Sequence, residues 1–169
     1  MGLFLVGPMG AGKSAIGREL ARMLRRPFFD SDSVIQERTG ADIGFIFDRE
    51  GEVGFRARER HVIDELTLIP DAVVATGGGA VLDTGSRDAL VSRGTVVYLY
   101  TSIEYQLSRT RASTTRPLLD TADPADRLAS LYAERDPLYR AIADFTVSTD
   151  GRRVRTVALE IVGLLKCND

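Results

Sequence analysis

The chain has 169 residues, 44% of them hydrophobic, with 22 basic and 24 acidic side chains and a formal net charge of −2. That length fits one domain, here 1–169, and that hydrophobic share supports a packed core and excludes a disordered chain. The charge balance gives no sign of nucleic-acid binding, the apolar runs are too short for a membrane span, and no leader peptide is visible. A single cysteine, Cys167, excludes an intramolecular disulfide, and a single histidine, His61, excludes a multi-histidine metal centre. The expected setting is a reducing cytoplasm. The first apolar run begins almost at residue 1, so a natural start slightly upstream is expected.

Leu3-Phe4-Leu5-Val6 is an unbroken apolar run stopped by Gly7, the pattern of a strand buried on both faces. Ile16, Leu20, Met23 and Leu24 then share one helix face. Phe28-Phe29 is a weaker strand. Phe55, Val62, Leu66 and Ile69 mark a longer helical segment that Pro70 terminates, with His61 as an ordinary helix residue. Ala72 to Ala75 and Val96 to Leu99 repeat the first strand's pattern, Phe145-Thr146-Val147 is a weaker fifth, and Val154, Val157, Ile161 and Leu165 mark a last helix. Strands alternating with helices predict an α/β domain with a mainly parallel sheet of about five strands. Ligands of such sheets bind at the carboxyl ends of the strands. Residues 111–123 are polar, small and without period, as lids in compact domains often are.

Gly7-Pro8-Met9-Gly10-Ala11-Gly12-Lys13-Ser14 matches the phosphate-binding pattern G-x-x-x-x-G-K-[ST], between an apolar strand and an amphipathic helix. From this composition the pattern arises by chance only about 0.002 times per chain. Backbone amides at the helix start form an anion nest, Lys13 reaches the β- and γ-phosphates, and Ser14 ligates Mg²⁺. Lys13 and Lys166 are the only lysines, so a lysine at 13 stands out. Ala15 stands where many such loops carry a second hydroxyl.

The strand at 72–75 ends in Thr76-Gly77-Gly78-Gly79 and carries no metal-binding aspartate. Asp30 and Asp32 follow a different strand end and are the candidates; a capping box from Ser33 to Gln36 is the plain alternative. Three glycines at 77–79 exceed what a turn needs and suggest close approach of another group to the backbone. Arg56, Arg58 and Arg60 read as a solvated helix face. Arg135 precedes an expected helix break at Pro137, and arginines suit bidentate recognition of a carboxylate. These residues by themselves describe a phosphotransferase with a lid and a possible anionic acceptor.

Gly-Pro-Met-Gly-Ala-Gly-Lys-Ser at 7–14, Asp-Ser-Asp at 30–32, Gly-Phe-Arg at 54–56, Thr-Gly-Gly-Gly at 76–79, Arg-Pro-Leu-Leu at 116–119 and Glu-Arg-Asp-Pro-Leu-Tyr at 134–139 occur in that order. In this set the chain resembles the shikimate kinases over nearly its whole length. The resemblance implies a P-loop kinase fold like that of nucleoside monophosphate kinases, with a five-stranded parallel sheet of order 2-3-1-4-5, an acceptor-binding subregion near 31–60 and a mobile lid near 111–123. It implies transfer of the ATP γ-phosphoryl to the 3-hydroxyl of shikimate with Mg²⁺, by a monomer with small-molecule substrates, without nucleic acid or membrane. By resemblance, Lys13, Asp32 and Arg116 are catalytic. Gly10, Ala11, Gly12, Lys13, Ser14, Ala15, Arg109, Arg116 and Arg153 bind ATP, with Arg109 stacking on adenine. Asp32, Arg56, Gly77, Gly78, Gly79 and Arg135 bind shikimate, the two arginines holding its carboxylate. Ser14 ligates the metal, and Asp30 reaches it through water. The alternatives are a gluconate-type sugar-acid kinase, a nucleoside monophosphate kinase, which lacks a visible nucleobase site here, and a non-catalytic nucleotide-binding regulatory module.

Overall fold

The computed structural model describes residues 1–110 and 123–168. The expected lid, save Asp123, and Arg116 lie outside the described residues. Five strands, β1 (Gly2–Val6), β2 (Phe28–Asp30), β3 (Val73–Ala75), β4 (Gly94–Tyr100) and β5 (Phe145–Ser148), form one parallel sheet of order β2-β3-β1-β4-β5. The helices are α1 (Lys13–Leu24), α2 (Ser31–Thr39), α3 (Ile43–Leu66), α4 (Thr84–Arg93), α5 (Ile103–Thr110), α6 (Pro124–Ile142) and α7 (Val154–Cys167), with a short 3₁₀ turn at Ala80–Leu82. The resemblance's sheet order is borne out.

Successive strand residues point to opposite faces, and both faces are covered. Leu3, Leu5, Val73, Val97 and Leu99 pack with Ile16 and Leu20 of α1 and Val157 and Ile161 of α7. Phe4, Val6, Val74, Val96 and Tyr98 pack with Ile35, Phe55, Val62, Leu66 and Leu90 from α2, α3 and α4, and with Tyr139 of α6. This double cover explains why the strands read as continuous apolar runs rather than alternating ones. Pairing of Leu5 with Ala75 and of Ala75 with Asp30 brings the carboxyl ends of β1, β3 and β2 to one edge. No helix among the described residues is long and apolar enough to cross a membrane.

Three local expectations are corrected. The start of α2 is not capped by a Ser33–Gln36 box. Asp30 is the N-cap and its Oδ1 accepts from Ser33 N at 3.1 Å, while Gln36 Oε1 accepts from Ile43 N at 3.3 Å. The helix begins three residues earlier than the box requires, because β2 ends directly in it. Pro137 does not break α6, which runs through it. Proline removes one helical hydrogen bond, but tertiary bonds anchor both flanks: Tyr98 Oη donates to Asp136 at 2.7 Å, and Tyr139 Oη donates to the Gly78 carbonyl at 2.5 Å. The long helix begins earlier than its apolar stripe suggested. Its two halves meet at Gly51, at φ 70° and ψ −179°, a conformation essentially confined to glycine. Glu50 and Arg58 pair across that kink at 2.6 and 2.8 Å.

Candidate active site

The loop from β1 to α1 wraps the carboxyl edge of the sheet. Gly12 caps α1 without a side-chain acceptor, so the first amides of the helix are left for a ligand. Lys13 Nζ donates to the carbonyls of Gly7 and Pro8 at 2.7 and 2.8 Å, the loop's own oxygens. Gln106 donates to the Met9 carbonyl at 3.0 Å, and Arg109 to the Gly10 carbonyl at 2.8 Å, so α5 buttresses the loop from outside. Ser14 Oγ donates to Asp30 Oδ2. Asp30 thus does two tasks: one oxygen caps α2, the other meets the P-loop hydroxyl. A cavity of about 410 Å³ opens here, walled by Lys13, Ser14, Asp30, Asp32, Gly77 and Arg109 among others.

Across the end of β3 lies a second, charged group of residues. None of Gly77, Gly78 and Gly79 takes a positive φ, so a turn does not explain them. Space does. A Cβ on Gly77 would stand 2.6 Å from Glu59 Oε2 and 2.8 Å from Asp32 Oδ1, and one on Gly79 would stand 2.2 Å from the Arg56 guanidinium. Arg135 Nη1 lies 3.5 Å from the corresponding point on Gly78. The strip is bare so that two carboxylates and two guanidiniums can lie against it. Arg135 is 4% exposed and its Nε has no hydrogen-bond partner among the described residues. Arg56 Nη1 donates to Glu59 Oε1 at 2.8 Å and Nη2 to Glu52 at 3.3 Å, while its enclosed Nε is likewise unpartnered. Buried guanidinium donors beside a cavity suit an anion with several acceptor oxygens.

The family model for shikimate kinase matches residues 9–166. The chain belongs to the shikimate kinase family. A shikimate kinase of Halorhodospira halophila is 61% identical over 164 residues, 97% of this chain and 93% of that protein. One from Vibrio vulnificus is 57% identical over the same length, covering 97% and 95%. The solved shikimate kinase from Acinetobacter baumannii in complex with shikimate superposes with a TM-score of 0.98 at 49% identity, covering 99% of this chain and 94% of that one. A gluconokinase from Sinorhizobium meliloti shares the fold, with a TM-score of 0.63 at 17% identity.

Within this kinase, Gly10, Gly12, Lys13, Ser14, Ala15, Asp30, Asp32, Gly77, Gly78 and Arg109 all line the one cavity. Ala11 is buried in the P-loop, and Arg56, Gly79 and Arg135 join around the glycine strip. Arg109 also reaches the Thr149 carbonyl at 3.5 Å, which ties the P-loop to the turn after β5. Arg153 is not brought to that wall: it caps α7 and is exposed.

The sequence reading missed Glu59. It is 2% exposed on α3, between Phe55 and Val62 on the buried stripe. A carboxylate at a core position of an otherwise apolar stripe was the available signal, and the reading passed over it. Burial raises its pKa from 4.5 to about 7; Arg56 and Arg135 oppose this, and Asp32 adds to it. The folded chain therefore holds this proton more tightly than the unfolded chain. The associated stability is complete below about pH 4.5 and is lost as pH rises towards about 7. Glu59→Gln cannot ionise, so from about pH 5 to about pH 8 it should lose less stability than the parent, by on the order of 3 kcal/mol. Urea melts at the two pH values measure this, and an unchanged gap would mean that Arg56 keeps Glu59 ionised throughout.

Proposed function

We propose that this chain transfers the γ-phosphoryl group of ATP to the 3-hydroxyl of shikimate, giving shikimate 3-phosphate and ADP, in the route to chorismate and aromatic amino acids. The observation that carries this reading is the meeting, on one sheet edge, of a P-loop with one buried and one part-buried guanidinium and Asp32 across a bare glycine strip. Arg56 and Arg135 hold the acceptor carboxylate, and their fixed positions aim a ring hydroxyl at the cavity. Asp32 accepts a hydrogen bond from that hydroxyl and takes its proton as the phosphoryl group moves. Lys13 leaves the carbonyls of Gly7 and Pro8 to follow the charge of the β- and γ-phosphates. Phosphoryl transfer asks mostly for such positioning and charge stabilisation. Arg116, outside the described residues, is assigned the same charge from the other side.

The donor set suits Mg²⁺. Ser14 and Asp30 offer hard oxygens at the loop's lip, and magnesium keeps several waters and takes its remaining ligands from phosphates. The absence of a cluster of three or more His, Cys, Asp or Glu among the described residues fits that habit. When bound, the ion neutralises charge on the phosphates. Arg109 borders the nucleotide, and Arg153, exposed on the turn side, is assigned to the adenine end. The remaining assignments are a monomer, in the cytoplasm, without nucleic-acid or membrane partners.

An ADP-release assay with shikimate, gluconate, AMP or no acceptor tests the reading. Turnover with shikimate alone is expected, and equal turnover with gluconate would overturn it. Arg56→Ala and Arg135→Ala address the clamp. Each removes a charged hydrogen-bonding partner worth about 1.5–3 kcal/mol. The shikimate Kd should rise roughly ten- to hundredfold while ATP affinity stays close to the parent's, by calorimetry. Equal weakening of both ligands would count against a carboxylate clamp.

A further inference from the structure

The two oxygens of Glu59 have different surroundings. Oε1 accepts from Arg56, while Oε2 is enclosed and has no hydrogen-bond partner among the described residues. Oε2 and Asp32 Oδ1 converge on one point, 2.6 and 2.8 Å from where a Cβ on Gly77 would stand. Two ionised carboxylates meeting there repel each other, and an enclosed oxygen without a donor is costly. One proton on Oε2 removes both costs, because it makes that oxygen a donor facing Asp32.

We propose that Glu59 carries a proton on Oε2, the enclosed oxygen turned towards Gly77 and Asp32, so that Glu59 is a positioning residue for the acceptor clamp and shikimate is captured by the form carrying that proton. The inference rests on the acceptor site described above. The charged groups facing Glu59 are Arg56 on its own helix, Asp32 on α2 and Arg135 on α6, with Tyr139 also on α6. Of the neighbouring charges, all but Glu52, which meets Arg56 from its exposed side, are engaged elsewhere. Glu52 reaches Arg56, Arg38 of α2 reaches Glu65, Arg93 of α4 reaches Asp64, and Asp83 before α4 faces Arg60. His61 is exposed on α3 and pairs with Glu65.

With Glu59 neutral, Asp32 is the one enclosed carboxylate against two guanidiniums, Glu52 meeting Arg56 only from its exposed side, and the site is more positive towards an incoming carboxylate. With Glu59 ionised, a second enclosed carboxylate offsets the guanidiniums and that attraction weakens. The anion in turn favours the protonated form of Glu59, so capture takes up a proton. The push that burial gives Glu59 sets this exchange in the neutral range.

Calorimetry of shikimate binding to the full chain, in two buffers of different ionisation enthalpy near pH 7.5, should show net proton uptake. The Kd should rise about tenfold between about pH 6.5 and about pH 8.5. Glu59→Gln should show a flat Kd over that range, while His61→Asn should keep the parent's slope. Buffer-independent enthalpies in the parent, or a parent-like slope in Glu59→Gln, would overturn the proposal. If Glu59→Gln does not fold, the two-buffer comparison on the parent still decides. A parent that binds no shikimate at any pH is a different result: it would remove the acceptor reading itself.

Discussion

Lys13→Ala should lower kcat by roughly two to four decades, the range for an electrostatic group acting on charge that grows in the transition state. The fold should survive. Lys13 sits half-buried on two carbonyls of its own loop, and no apolar packing depends on its ammonium. Freed carbonyls of Gly7 and Pro8 can turn to water, so the melting temperature should change little. Steady-state ADP release and a thermal melt on the same preparation measure both quantities. Near-parent turnover would remove the P-loop assignment, whereas collapse of the fold would mean that Lys13 is a structural clamp on the loop.

Asp32→Asn separates chemistry from binding on the acceptor side. Asp32 lies in the first turn of α2, two residues beyond the N-cap Asp30. If Asp32 served only the helix, its negative charge there would be worth about 0.3–1 kcal/mol, and turnover would persist. Acting on the attacking hydroxyl, its loss should cut kcat by roughly two to four decades. ATP affinity should barely move, because the loop amides and Lys13 are untouched. Asp30→Asn should behave differently. Asparagine is as good an N-cap as aspartate, so the fold is kept, while the Mg²⁺ requirement rises and is partly met at high Mg²⁺. A fully active Asp32→Asn enzyme would leave the proposed transfer without its proton acceptor.

The sequence by itself determined the sheet and the phosphate end of the site. Apolar runs at 3–6, 72–75 and 96–99, each bounded by turn residues, read as strands covered on both faces, and the P-loop is one contiguous stretch whose backbone makes the nest. Local information suffices where the binding groups are neighbours in the chain. The family resemblance then supplied the acceptor residues, which their own spacing did not.

Tertiary structure alone decided how those residues meet. Asp32, Arg56, Glu59 and Arg135 come from three helices separated by up to about a hundred positions, and only parallel pairing of β1, β2 and β3 brings them to one edge. The glycines at 77–79 were legible as a place of close approach, but which side chains lie against them was not. Pro137 looked like a helix end, because the bonds to Tyr98 and from Tyr139 that carry α6 past it are long-range. Glu59 escaped notice for the same reason. A charge on a buried stripe is costly in isolation, and it becomes reasonable only when Arg135, distant in sequence, joins Arg56, one turn away on the same helix, beside it in a site from which water is largely excluded.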